Sequence, residues 1–140
     1  MTAGVLLDTS FLISLVTQKR SHHHVAQQYF RTILDQNIAV YFSAIVAGEF
    51  AIKQPITELP LKKFRTLPFE IPHAIEAARL FNALGSRDEG DIRHVVREDV
   101  KLIAQANYEN IKFILTDDVS TLYKYCERLR TAGSARPHRR

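Results

Sequence analysis

The chain has 140 residues, 24% of them charged, and a formal net charge of +4. This length allows one hydrophobic core without disulfides, and the ordinary apolar content excludes an intrinsically disordered protein. The single cysteine, Cys126, excludes an intramolecular disulfide, and no apolar run is long enough to cross a membrane. We therefore expect a cytoplasmic protein with no membrane partner.

The positive charge is concentrated at the C-terminus. The last ten residues hold Arg136, Arg139 and Arg140 and no acid, and the chain without these three arginines has a net charge of +1. The overall charge is therefore weak evidence for a nucleic-acid partner. We predict a folded domain over 1–130 and a disordered basic tail over 131–140.

The first half of the chain alternates short apolar runs with stretches whose apolar residues recur every three or four positions. The elements predicted there are, in chain order, a strand at 4–7, a helix from 9, a helix at 21–34, a strand at 38–42 and a helix from 44. Ser21 and Ser43 stand at positions where hydroxyl side chains cap helices.

The second half continues this alternation. Its predicted elements are a short strand at 67–71, a helix at 72–84, a helix at 91–108 that divides near Arg97, a strand at 112–115 and a helix at 120–129. Pro72 suits the first turn of a helix and Gly85 suits a helix end. Short apolar strands alternating with helices predict an α/β fold, a three-layer α/β/α sandwich with a central parallel sheet.

Acidic residues follow two of the predicted strands. Asp8 follows the first strand, and Asp117 and Asp118 follow the last. In open parallel sheets ligands bind beyond the carboxyl ends of the strands, so we expect these acids to lie close together if their strands are neighbours. Carboxylates held close together raise each other's pKa unless a cation neutralises them. The pattern therefore predicts a site for Mg²⁺ or Mn²⁺.

Two further acids, Glu49 and Asp99, lie in helical patterns that are otherwise apolar. Each of the four acids also has a structural interpretation: Asp8, Asp99 and Asp118 could cap helices, with Asp99 near a helix start, and Glu49 could form an ion pair with Lys53. Four acids at strand ends or on packing faces are nevertheless hard to assign to unrelated caps. Their positions favour one common site.

Four segments carry these acids in a recognisable order and spacing. They are LLDTSFLI at 6–13, SAIVAGEF at 43–50, EDVKLIAQA at 98–106 and ILTDD at 114–118. Over residues 4 to 125 the chain thus resembles the PIN-domain ribonucleases, in particular the VapC-type toxins of toxin–antitoxin pairs. The resemblance implies the catalytic and metal-binding acids Asp8, Glu49, Asp99 and Asp118. It also implies supporting roles around them for Ser10, Thr116 and Asp117, although Ser10 could instead be a helix cap and Thr116 a turn residue.

The resemblance implies a PIN-like fold and hydrolysis of RNA phosphodiester bonds by water that Mg²⁺ or Mn²⁺ activates. It further implies a cognate antitoxin protein and a homodimer as partners. The alternatives are a PIN nuclease that processes RNA outside a toxin pair, and a PIN-like module that binds RNA or protein without cutting. Basic residues that could hold the RNA backbone are Lys62, Lys63, Arg65 and Arg87.

Two other protein classes also place acids at strand ends. A phosphoacceptor receiver domain needs an acid pair after its first strand and a lysine after its last, and neither is present. A haloacid-dehalogenase-type phosphatase needs an aspartate two residues after Asp8, where Ser10 stands. The order of acids therefore argues against both classes.

Overall fold

The computed structural model describes residues 4–118, 120–130 and 136–138. The strands in this part of the chain are β1 (Gly4–Leu7), β2 (Ala39–Ser43), β3 (Arg65–Leu67), β4 (Phe113–Leu115) and β5 (Arg136–His138). They form one parallel sheet in the order β3-β2-β1-β4-β5. The predicted parallel sheet is therefore confirmed.

Helices cover this sheet. The α-helices in the described ranges are α1 (Thr9–Val16), α2 (His23–Asp35), α3 (Ala44–Lys53), α4 (Ile71–Leu84), α5 (Arg93–Glu109) and α6 (Leu122–Leu129), and two single-turn 3-10 helices, Ile56–Glu58 and Leu61–Lys63, lie between α3 and β3. Helix α1 packs against α2 and α3, whereas α4, α5 and α6 pack against one another. The predicted three-layer α/β/α sandwich is confirmed. Within the described residues, no helix combines the length and apolar character needed to cross a membrane.

Strand β1 lies at the centre of the sheet because its side chains are apolar on both faces. Leu6 is fully buried and lies in register with Tyr41 of β2 and Ile114 of β4. A strand covered on both faces needs a continuous apolar run rather than alternation. The run ends at Asp8, whose N–H donates to the carbonyl of Leu115 at 3.0 Å. This bond holds the end of β1 beside the end of β4.

The path of the chain creates a crevice at these two strand ends. From β1 the chain moves outward to β2 and β3, and it then returns to the other side of β1 to form β4. The connections that leave β1 and β4 therefore diverge, which opens a crevice beyond the carboxyl ends of the two strands. Asp8 and Asp118 follow these strands, so the topology places both at this crevice.

Three predictions of local structure are wrong. Strand β3 ends at Leu67 rather than spanning 67–71, because Pro68 lacks the N–H that would extend the ladder and α4 follows directly. Helix α5 continues through Arg97 without a break. Ser21 does not cap α2, since His22 occupies the N-cap position and makes no side-chain cap hydrogen bond.

The predicted tail at 131–140 is described only at 136–138, which form β5 beside β4. Every other described element ends at or before Leu129, within the predicted domain of 1–130. Disorder stays a prediction for 131–135, 139 and 140, which lie outside the described residues.

Ser43 connects three elements. Its Oγ accepts the N–H of Ile45 at 3.1 Å and so caps α3, as predicted. The same hydroxyl donates to Oε1 of Gln105, a fully buried residue of α5. Gln105 in turn donates to the carbonyl of Pro68 at 3.2 Å. One hydroxyl therefore joins the end of β2 to α3 and α5.

We expect Ser43→Ala to lower the free energy of unfolding by about 2 kcal/mol, because it removes a helix cap and leaves a buried amide oxygen without a donor. Ser21→Ala, at an exposed serine that caps nothing, should change it by less than about 0.5 kcal/mol. Urea unfolding followed by circular dichroism measures both values. Equal effects of the two substitutions would contradict the role given to Ser43.

Candidate active site

Asp8 stands at the N-cap position of α1, but its side chain makes no cap hydrogen bond. Instead, its Oδ2 accepts hydrogen bonds from the hydroxyls of Ser10 and Thr116, both at 2.8 Å. Burial raises the pKa of Asp8, and the two hydroxyl donors only partly counter this effect. The interpretation of Asp8 as a helix cap is therefore wrong, and its carboxylate remains available for a site.

Glu49 projects from α3 towards the residue that follows Asp8. Its Oε1 accepts a hydrogen bond from Oγ1 of Thr9 at 2.7 Å. Partial burial raises the pKa of Glu49, and the negative charge of Asp8 raises it further. None of the ion pairs between described residues joins Glu49 to Lys53. The structure therefore does not support the ion-pair interpretation of Glu49.

Asp99 lies in the second turn of α5, so the expectation that it stands near a helix start is wrong. Its Oδ2 is buried and has no hydrogen-bond partner in the described part of the chain. Burial is the main cause that raises the pKa of Asp99 to about 8, and the charges of Asp8, Asp118 and Glu49 act in the same direction. A buried carboxylate oxygen without a donor is unfavourable unless a proton, a donor or a cation reaches it.

Asp118 belongs to the turn before α6. Its Oδ1 accepts the N–H and hydroxyl of Ser120 at 2.9 and 2.8 Å, and its Oδ2 accepts the hydroxyl of Thr121 at 2.9 Å. Burial alone would raise the pKa of Asp118, but these hydrogen bonds outweigh it and the pKa is lowered. Asp118 therefore stabilises the turn before α6 rather than capping the helix, whose N-cap is Thr121, and its charge also raises the pKa of Asp8 and Asp99.

Asp117, the neighbour of Asp118, connects the loop after β4 to the first two helices. Its Oδ2 accepts the hydroxyl of Ser14 at 2.8 Å, and its Oδ1 lies 2.6 Å from Nδ1 of His22. Its N–H donates to Oγ of Ser10 at 2.9 Å. Because Ser10 also donates to Asp8, these contacts fix the loop after β4 relative to Asp8.

The four predicted acids thus form one group, which we call the acidic cluster: Asp8, Glu49, Asp99 and Asp118. The negative charges of Asp8, Glu49 and Asp118 each raise the pKa of Asp99, and the charge of Asp8 also raises the pKa of Glu49. In the described ranges, no three acidic, histidine or cysteine side chains are already arranged around one metal position. The donor set nevertheless fits a hard cation, because the carboxylates repel one another and Oδ2 of Asp99 lacks a partner.

Two hydroxyl residues at the cluster, Thr9 and Thr121, were not singled out in the sequence. Thr9 donates to Glu49, and Thr121 donates to Asp118 and lies close enough to Asp99 to lower its pKa. The sequence held a signal for Thr121, which follows Asp118 by three residues, a spacing at which aspartate side chains accept bonds from the following turn. No comparable pattern links Thr9 to Glu49.

Comparison with known proteins gives one family and several similar folds. A family model described as PIN domain matches residues 5–127. No curated protein matches the sequence at a significant level. The chain is similar to the structure of VapBC2 from Rickettsia felis bound to a DNA fragment from their promoter, with a TM-score of 0.67 and 13% identity over 97% of this chain and 98% of that chain.

Two other structures are similar over most of the chain. DNA-bound VapBC from Salmonella typhimurium has a TM-score of 0.64 and 15% identity over 99% of this chain and 98% of that chain. VapC20 from Mycobacterium tuberculosis, described as a sarcin-ricin loop cleaving toxin, has a TM-score of 0.63 and 16% identity over 84% of this chain and 92% of that chain. At these identities the similarity shows a shared fold.

Asp99→Asn should remove a pH-dependent loss of folding stability from the metal-free protein. An acid whose pKa is raised by folding binds more protons when folded, so the stability that it contributes falls as pH rises from its ordinary value of 3.8 to about 8. We expect the variant to be more stable than wild type near pH 8 by on the order of a few kcal/mol, and the difference to shrink near pH 5. Urea unfolding in EDTA measures this.

Asp35→Asn, at the exposed end of α2, is the matched control and should follow wild type at both pH values. Adding Mg²⁺ in place of EDTA should stabilise wild type and leave Asp99→Asn nearly unchanged, because binding to the folded state alone raises stability. The same pH dependence in wild type and Asp99→Asn would contradict the raised pKa. Equal stabilisation of both by Mg²⁺ would contradict a cation site at Asp99.

Proposed function

The chain belongs to the PIN domain family, and from this premise we propose that it is a metal-dependent endoribonuclease that hydrolyses RNA phosphodiester bonds. The observation that carries the proposal is the buried, unpartnered Oδ2 of Asp99 among three other carboxylates. A structural role does not explain an oxygen of this kind, because a buried oxygen without a partner lowers the stability of the fold. A site that binds a cation for catalysis does explain it.

The acidic cluster would hold Mg²⁺ or Mn²⁺. When bound, the cation supplies the positive charge that activates a water molecule and offsets the negative charge that develops on the phosphodiester. The protein contributes the positions of the carboxylates that would hold the cation. Ser10 and Thr116 hold Oδ2 of Asp8, and Thr9 holds Oε1 of Glu49, so carboxylates are oriented before substrate arrives. No side chain is required as the nucleophile.

We also propose that the chain is the toxin of a toxin–antitoxin pair. Two of the similar structures are named as VapBC assemblies, and they match nearly the whole of this chain. The negative charge of the acidic cluster suits an inserted basic side chain, such as an arginine of an antitoxin. A PIN nuclease that processes RNA outside a toxin pair is the alternative, and a neighbouring reading frame for a small DNA-binding protein would distinguish the two.

A cytoplasmic location fits the free, buried thiol of Cys126.

The proposed homodimer is supported by an apolar row on α4. Ile71 and Ile75, one helical turn apart, are 73% and 66% exposed. A second copy of the chain packed on this face would remove both side chains from water, which is favourable.

Purified protein should cut a mixed single-stranded RNA in the presence of Mg²⁺ or Mn²⁺, and EDTA should abolish the cutting. Asp8→Asn should lower kcat by more than about 100-fold, and Thr9→Val, which removes the donor to Glu49, by about 10-fold. Gel analysis of labelled RNA measures these rates. Circular dichroism confirms that each variant is folded.

Asp35→Asn, the exposed control, should cut at the wild-type rate. Metal-dependent cutting that persists in Asp8→Asn would indicate a contaminating nuclease or a different site. An inactive wild type that also fails to bind Mn²⁺ by calorimetry would contradict the catalytic proposal and favour a binding module.

Light scattering should give twice the mass of the chain for the protein alone, and Ile71→Asp with Ile75→Asp should give the mass of one chain, because two charges cannot be buried on the proposed face. A monomeric wild type would contradict the dimer.

Co-expression with the product of the adjacent reading frame should yield a stable complex that does not cut RNA. An active complex, or no complex, would favour a nuclease outside a toxin pair.

A further inference from the structure

A groove lies between α4 and the first half of α5. It has a volume of 610 Å³, and its walls include Arg87, Arg93, Arg97 and Phe81. A second cavity of 250 Å³ shares Phe81 and Arg97 with it and extends to Lys101 along the same two helices. We call the two cavities together the α4–α5 groove. No member of the acidic cluster lines it.

The groove carries positive charge that the protein does not neutralise. Within the described ranges, the guanidinium groups of Arg93 and Arg97 take part in no ion pair. Of the two acids in the wall, Asp88 is already held by two basic side chains of α6. Glu89 alone therefore stands against three arginines. A surface of this charge attracts an anionic ligand.

The basic residues of α5 form a row. Arg93, Arg97 and Lys101 follow one another at intervals of four residues, which places them on one side of the helix about 6 Å apart along its axis. Nζ of Lys101 lies 3.2 Å from Oε1 of Glu98. Arg93 and Arg97 are therefore the two members of the row without an acidic partner in the described part of the chain. An extended row suits a chain of negative charges better than a single anion.

Phe81 adds an aromatic surface beside this row. It is 37% exposed and lines both cavities. Proteins that bind single-stranded nucleic acid combine a basic groove with aromatic rings on which bases stack. An apolar protein partner would use Phe81 but would leave two arginines buried without partners. The combination therefore favours a nucleic acid.

The groove lies at the same end of the sheet as the acidic cluster. Helix α5 leads into β4, so the first turns of α5 are at the carboxyl ends of the strands, where Asp8 and Asp118 lie. Asp99 follows Arg97 by two residues, which is about 3 Å along the axis and about 200° around it. The groove and the cluster are thus separated by about one helix diameter, or about 10 Å.

We propose that the α4–α5 groove binds the substrate RNA strand outside the bond that is cut, with Arg93 and Arg97 on phosphates and Phe81 against a base. This inference rests on the proposed ribonuclease function and specifies where the RNA strand lies beyond the bond that is cut. A purely structural role explains Asp88, which fastens the loop before α5 to α6. It does not explain two unpaired arginines beside an exposed phenylalanine.

The test is binding of a fluorescent single-stranded RNA of about 12 nucleotides, measured by anisotropy in EDTA so that no RNA is cut. Arg93→Ala with Arg97→Ala should weaken binding and should reduce the slope of log affinity against log salt by about 1.4, because each lost phosphate contact contributes about 0.7 for a single strand. Phe81→Leu should weaken binding by about fivefold or more and leave the salt slope unchanged.

Two matched controls lie away from the groove. Arg31→Ala with Lys112→Ala removes the same charge from exposed positions on α2 and at the start of β4. Tyr108→Leu removes a 53% exposed ring from the opposite end of α5. Both controls should change the affinity for RNA by less than about twofold.

Unchanged RNA affinity and salt slope in the groove variants would overturn the inference. An arginine variant that binds RNA normally but loses binding to a polyglutamate peptide would instead indicate a protein partner. A Phe81→Leu variant that changes only the molar mass would indicate a contact between copies. Since binding is measured without cleavage, a wild type that binds RNA through the groove but does not cut it contradicts the ribonuclease proposal alone.

Discussion

The carboxylates of Asp8 and Asp99 share a partly buried space with no cationic side chain as an ion-pair partner among the described residues. Their repulsion disfavours ionisation of both, and the surrounding contacts reduce this cost without removing it. The hydroxyls of Ser10 and Thr116 donate hydrogen bonds to Asp8, and the hydroxyl of Thr9 donates one to Glu49. These hydrogen bonds stabilise the ionised carboxylates of Asp8 and Glu49. Oδ2 of Asp99 receives no donor. The fold therefore retains an electrostatic strain at one place, and the apolar core must offset it.

The parallel sheet makes this concentration of charge possible. The ends of β1 and β4 carry Asp8 and Asp118 to one crevice, whereas α3 and α5 bring Glu49 and Asp99 from separate parts of the chain. Each acid thus stands on or beside a regular element whose backbone is fixed by its own hydrogen bonds. Carboxylates held in this way cannot move apart to relieve repulsion, so either proton binding, which the raised pKa of Asp99 reflects, or a bound cation relieves it.

The sequence predicted those features that local patterns determine. Strand β1 was predicted to its exact bounds because four consecutive apolar residues end at an acid, and Ser43 was correctly predicted as a cap. Strand β3 was misplaced because its residues, Arg65–Leu67, are mostly polar and become a strand only by pairing with β2. The positions of the acids were visible in the sequence, but the contact between Thr9 and Glu49 joins residues 40 positions apart and has no local pattern. Phe81 shows the same limit, since helical spacing marks a face but not whether another element covers it.

Charge is divided between the two sides of α5 in a way that suits a polyanionic substrate. A cluster of carboxylates repels phosphates until a cation is bound, so attraction for RNA has to come from another part of the surface. In the proposed arrangement Arg93 and Arg97 supply it about 10 Å from Asp99, a distance close to the Debye length at physiological ionic strength. At that separation salt weakens the attraction between the arginines and the cluster, while phosphates in direct contact with the arginines still bind them. One helix can therefore carry the proposed cation site on one side and the proposed RNA groove on the other, without the charge of either cancelling that of the other.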